Sequence, residues 1–102
     1  MSTSTTVASS PQKLDKERVP ELQFSGDDVL KKKEEVSMRR IDLQRAQALG
    51  AQSKSNIKIY ISDAQDNRYV VEATVWAATE KNVTLKGGII IPIRAIYKVG
   101  FF

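Results

Sequence analysis

From Ile57 onward the hydrophobic period of this chain is two, and that change limits its C-terminal half to strands. Ile57, Ile59 and Ile61 alternate with Lys58, Tyr60 and Ser62, the pattern of a strand with one face in a core and the other in water. Ala64-Gln65-Asp66-Asn67 supplies a turn, and a long second strand follows. Tyr69, Val71, Ala73, Val75 and Ala77 form one of its sides, with Val70, Glu72, Thr74, Trp76 and Ala78 on the other. Asn82-Val83-Thr84-Leu85-Lys86 alternates again, Gly87-Gly88 makes a tight hairpin turn, and Ile89, Ile91 and Ile93 share a side of the next strand. Pro92 removes a ladder donor there, Arg94-Ala95-Ile96 fits a single 3₁₀ turn, and Tyr97 to Phe102 forms the last strand. A second strand that long has to bend. The expectation is therefore a mainly β domain with one N-terminal helix, its strands closed into a five-stranded antiparallel SH3-like barrel over residues 56–102.

Upstream of the strands the period is helical. Asp27 and Asp28 suit a helix start, the following residues are good helix formers, and Gly50 is a natural stop, which predicts a charged helix over residues 27–50. Val29, Val36 and Leu43 recur every seven residues, so its apolar stripe is thin. Lys31, Lys32 and Lys33, followed by Glu34 and Glu35 and then by Arg39 and Arg40, read as a solvated face of i,i+4 pairs. Residues 1–26 are polar, with seven Ser or Thr among the first ten, and read as a disordered tail. The alternative is an extended arm in which Val19 to Phe24 docks on the domain. These divisions leave a single folded domain over residues 27–102.

Composition narrows the chemistry. No cysteine and no histidine occur, which removes thiolate nucleophiles, cysteine and histidine metal ligands and the usual neutral-pH base. Asp63, Asp66, Glu72 and Glu80 make no recognisable acid/base pair, and Gly87-Gly88 lacks the spacing of a phosphate loop. The expectation is a non-catalytic protein with no cofactor, no metal and no catalytic residue. The longest aliphatic run, Ile89 to Ile93, is five residues and contains Pro92, far below the roughly 20 that span a bilayer. A cytoplasmic protein without membrane contact is expected. So small a core also favours a homo-oligomer.

The net charge of +4 comes mainly from residues 51–102, with seven basic residues against four acidic ones, a mild field that favours polyanions. Tyr60 and Tyr97 share strands with Lys58 and Lys98, the aromatic and basic mixture that single-stranded nucleic-acid binders use. Trp76 and Tyr60 are candidate partner contacts, although Trp76 could equally cover the barrel under the helix.

Ile93-Arg94-Ala95-Ile96-Tyr97-Lys98-Val99 resembles a segment of the Hfq-like members of the Sm-like family, small β-barrel proteins that bind RNA. Asn82, followed by Val-x-Leu, is similar to the asparagine that Sm proteins carry before their third strand. The resemblance implies single-stranded RNA as ligand, ring assembly, and a site made of Arg94, Asn82, Lys81 and Lys98. Arg94 would stand at the pore position, the lysines would neutralise phosphate, and Asn82 would read a base edge. Glu72 or Ala73 stands where the family has a glycine, and Ala78 where it has an aspartate. A barrel that binds protein, without nucleic acid, is the alternative function.

Overall fold

The computed structural model describes residues 10–102, so the part of the predicted tail before residue 10 lies outside the described residues. The strands are β1 (Gln12–Lys13), β2 (Ile57–Ser62), β3 (Arg68–Ala73), β4 (Val75–Ala78), β5 (Asn82–Leu85), β6 (Ile90–Pro92) and β7 (Ile96–Gly100), with one helix, α1 (Lys33–Ser53), between β1 and β2. They make two sheets, a four-stranded one ordered β1-β3-β2-β7 and a three-stranded one ordered β4-β5-β6.

This corrects the expected closed five-stranded barrel: the architecture is mixed α and β, with seven strands in two sheets. The alternation from Tyr69 to Ala78 is real, but the strand divides at Thr74. Pairing with β2 ends at Ile57↔Ala73 and pairing with β5 begins at Val75↔Leu85, so one run of sequence serves two sheets in turn. Thr74 is buried and its hydroxyl lies 2.9 Å from Asn56 Oδ1 and 3.2 Å from the Lys54 carbonyl oxygen, sharing its one proton between them, which anchors the break to the end of α1. At the other end the 3₁₀ turn Ile93–Ala95 separates β6 from β7.

The core lies between the inner sheet faces and α1. Ile57, Ile59, Ile61, Val71, Ala73, Val75, Val83, Leu85, Ile91 and Ile96 are buried in it, whereas Ile89 is only half-buried. Residues 10–26 are not a loose tail. Gln12 and Lys13 pair in parallel with Tyr69 and Val70, and a 3₁₀ helix over Lys16–Glu21 lies against β3 and β6, one from each sheet. It sets Val19 into the core, and Leu14, Leu22 and Phe24 pack beside it. The docked arm is therefore the form seen, with its buried residue on a 3₁₀ turn.

The helix begins and ends later than its sequence signals predict. Asp28 does not cap it, because its carboxylate is engaged elsewhere, accepting the Leu30 N–H at 2.8 Å and two bonds from the Arg39 guanidinium, at 2.8 and 2.6 Å. Val29 N–H donates to the Arg94 carbonyl, holding residues 28–30 against the 3₁₀ turn before β7. Arg39, expected on a solvated face, is 6% exposed. Its Nη1 also donates to the Ile96 carbonyl at 2.9 Å, so one side chain ties α1, the loop before it and β7 together.

At the far end the helix runs through Gly50 to Ser53 and is closed by Lys54 in the left-handed region, φ 54°. Gly50 is there for approach, because a Cβ at 50 would overlap the Val75 carbonyl oxygen. Gly50→Ala should force α1 away from β4 and lower stability by about 1–3 kcal/mol, the usual range for overpacking. Chemical denaturation measures this, and an unchanged midpoint would contradict the close contact.

The Arg39 guanidinium holds the Asp28 carboxyl below its ordinary value of 3.8, the Leu30 N–H and the Lys31 charge add to the effect, and partial burial opposes it. A depressed carboxyl contributes stability that is complete above its unfolded value and is lost as pH falls through the folded one. Unfolding curves should therefore weaken as pH drops through and below 3.8. Asp28→Asn should flatten that dependence and cost about 2 kcal/mol near neutrality, less than for a fully buried pair because Asp28 is partly exposed.

Candidate nucleic-acid interface on the four-stranded sheet

The outer face of the larger sheet is set by its register. Lys58 lies opposite Glu72 and Gly100, Tyr60 opposite Val70 and Lys98, and Ser62 opposite Arg68. Paired residues point to the same side, and the alternating Ile57, Ile59 and Ile61 are buried on the other. Between Tyr60 and Ile61 the register with β7 shifts, since Tyr60 pairs with Lys98 whereas Ile61 pairs with Ile96. Tyr97 is the extra residue of this bulge. A regular strand would send Tyr97 and Lys98 to opposite faces, and the bulge re-aims the tyrosine outward beside Tyr60.

The two rings lie with centroids 5.9 Å apart, tilted by 54°. Each has a cation over it, Lys98 Nζ 5.2 Å from the Tyr60 centroid and the Arg68 guanidinium 4.7 Å from that of Tyr97. Lys58 Nζ lies 5.1 Å from the ring of Phe102, which is 76% exposed. Both tyrosines are half-buried. Burial pushes the Tyr97 phenol above its ordinary value of 10.0 against the lowering influence of Arg68, so it stays neutral at physiological pH. The face thus carries two adjacent aromatic rings with three cations beside its aromatic side chains, Glu72 as the facing acid on β3, and Lys13 farther out on β1. Near Tyr97 and Arg68 it runs into a depression of about 260 Å³ bordered by Asp27, Asp28, Asp63 and Asp66, whose carboxylates end the cationic strip.

The residues assigned by resemblance fall in different places. Lys81 and Asn82 are exposed at the start of β5, where the Lys81 carbonyl accepts from Ile93 N–H and Asn82 pairs with Pro92, so backbone pairing brings them close to the Arg94 turn. Arg94 donates from Nε to the Ser25 carbonyl at 2.6 Å. Asn82 closes the β4–β5 turn through its backbone, donating to Thr79 Oγ1 at 3.1 Å and accepting from Thr79 N–H at 2.9 Å. Lys98 lies on the other sheet with Tyr60. Trp76 stands at a second bulge, in β4, and is 56% exposed, so it does not cover the core under the helix. Ile90, on β6, is exposed to the same degree.

The sequence sets Tyr60 and Tyr97 beside lysines, but the meeting of the two rings and the place of Arg68 beside them arise only from strand pairing. The usable signal is Tyr97-Lys98 between the buried Ile96 and Val99: two polar-tipped residues in succession break the alternation, as a bulge requires. Among the described residues no cluster of three or more acidic side chains is placed to hold a metal, and no helix is long and apolar enough to cross a membrane. No protein-family model matches the chain, and neither curated proteins nor solved structures give a match.

Gly100 gives the Tyr60 ring room, because a Cβ there would lie 3.3 Å from Tyr60 Cε1 and 3.4 Å from Lys58 Cβ, close enough to push the ring by a few tenths of an ångström. Gly100→Val should displace the Tyr60 ring and abolish ring-to-ring nuclear Overhauser contacts with Tyr97 while the fold persists. Retained contacts would contradict this packing.

Proposed function

We propose that the protein is a non-catalytic module that binds single-stranded nucleic acid, RNA in particular, on the outer face of the four-stranded sheet. The observation that carries this reading is the Tyr60–Tyr97 pair, with Lys98 over one ring and Arg68 over the other. Every base has a π-face, so adjacent rings accept successive bases without regard to sequence, and cations beside them meet the phosphates. The resemblance of Ile93–Val99 to Sm-like proteins supports RNA as the polymer, and a cytoplasmic location belongs to the same reading.

Tyr60 and Tyr97 act as stacking platforms, and Lys58, Arg68 and Lys98 neutralise the backbone. Arg94, Lys81 and Asn82 lie off this face and contribute little. The exposed Trp76 and Ile90 favour a second reading, in which the smaller sheet is a protein-binding surface and no nucleic acid is bound.

Fluorescence anisotropy with oligo(U) and oligo(A) at low salt separates the two. Tyr60→Ala or Tyr97→Ala should each weaken binding about tenfold, consistent with roughly 1–3 kcal/mol per stacked base, while Tyr60→Phe retains it. With three cations engaged, log K should fall with log salt at a slope of about −2. Arg94→Ala should change affinity by less than Lys98→Ala. Absence of binding by the wild-type protein at low salt would leave the protein-binding reading in its place.

A further inference from the structure

The helix α1 has two stripes of heptad spacing, and only one is used within the fold. Arg39, Leu43, Ala46 and Gly50 face the sheets and are buried. On nearly the opposite side Glu34, Met38, Ile41 and Arg45 follow one another at steps of four, three and four residues, and all four are exposed. Met38 and Ile41 are each 56% exposed, an unusual position for two neighbouring large apolar side chains. Arg45 is held in place at the end of this stripe, its guanidinium 4.4 Å from the centroid of Phe101.

We propose that this stripe is the contact surface for a second copy of the chain, with the two α1 helices packed antiparallel about a two-fold axis between Met38 and Ile41. The sequence of the stripe is self-complementary in that arrangement. A two-fold relating position 38 of one copy to position 41 of the other also relates position 34 to position 45. Met38 then packs on the partner's Ile41, and Glu34 meets the partner's Arg45 twice, once at each end. Parallel packing would instead set Glu34 against Glu34 and Arg45 against Arg45, and would align the helix dipoles unfavourably. The 4-3-4 spacing is that of helices meeting side by side, and an isologous contact is the commonest way for identical chains to pair. Four residues per helix bury less than ~1,200 Å² in total, so the dimer is a weak and concentration-dependent one. The stripe shares no residue with the Tyr60–Tyr97 face, and the proposal does not depend on what that face binds.

Sedimentation equilibrium on nucleic-acid-free protein tests the proposal. The wild-type mass should rise from 11.4 kDa towards twice that value between micromolar and millimolar concentration. Glu34→Arg and Arg45→Glu should each weaken self-association by about tenfold or more, because each sets like charges opposite one another at both ends. An equimolar mixture of the two variants should recover association, since every cross-pair is then of opposite sign. Ile41→Asp should abolish it. All four positions are exposed, so each variant should keep the wild-type circular dichroism, with only a small loss in melting temperature where Glu34→Arg removes an acid from the first turn of α1 and Arg45→Glu removes the cation over Phe101. A wild-type protein that stays monomeric at millimolar concentration would overturn the proposal. So would a dimer unaffected by the charge reversals, or a mixture that stays as weak as its components.

Discussion

The Arg39 guanidinium is the joint on which this small structure depends. It sits on α1, is buried, and bonds at once to the Asp28 carboxylate and to the Ile96 carbonyl, with its Nε left unpartnered. A buried charge costs several kcal/mol unless it is paired, so the loop over residues 27–30 is held where its carboxylate can meet the guanidinium. That placement delays the helix start to Lys33 and brings Val29 to the Arg94 carbonyl. The same guanidinium holds the Ile96 carbonyl at the start of β7, one residue before the bulge at Tyr97. A core position held by charge thus touches the strand that carries part of the candidate surface.

The outer face of the larger sheet gathers its features by register. β2 brings Lys58 and Tyr60, β3 brings Arg68, and the bulge in β7 brings Tyr97 and Lys98 to the same side. Gly100 leaves the space that the Tyr60 ring fills. The rings stand on a rigid sheet, so the ordering cost of binding falls on the ligand and on Lys98 and Arg68, which lie over the rings and swing aside toward the phosphates when a base stacks. The two sheets share one core, in which Val19 is buried, and present different outer surfaces, one aromatic and basic, the other with Trp76 and Ile90.

Much of the fold is legible in the sequence, because strands with one face in a core announce themselves by period. The isoleucines of β2 and the Val-x-Leu of β5 are buried as their spacing requires, and the Gly87-Gly88 turn joins β5 to β6. Tertiary preferences are what the sequence hides. Asp28 looks like a helix-starting residue because capping and ion pairing ask for the same side chain, and Gly50 looks like a helix stop because a glycine needed for close approach carries no mark of it. Val19 lies in a polar segment between charges, where only its fit between two sheets makes it core. Period alone also does not say that the run from Tyr69 to Ala78 divides between two sheets, since buried alternation continues through the break at Thr74. In the candidate site the lysines and tyrosines can be named from sequence, whereas Arg68 and the ring contact depend on pairing across strands.

The proposed nucleic-acid surface stands on Tyr60 and Tyr97 with their cations. Its most direct test is a titration of ¹⁵N-labelled protein with a short oligo(U), followed by amide and tyrosine-ring chemical shifts. Binding on this face predicts saturable shifts concentrated at Lys58, Tyr60, Arg68, Tyr97 and Lys98, with the Trp76 indole signal unmoved. Shifts confined to Trp76 and Ile90, or a spectrum that the oligonucleotide leaves unchanged at low salt, would contradict it.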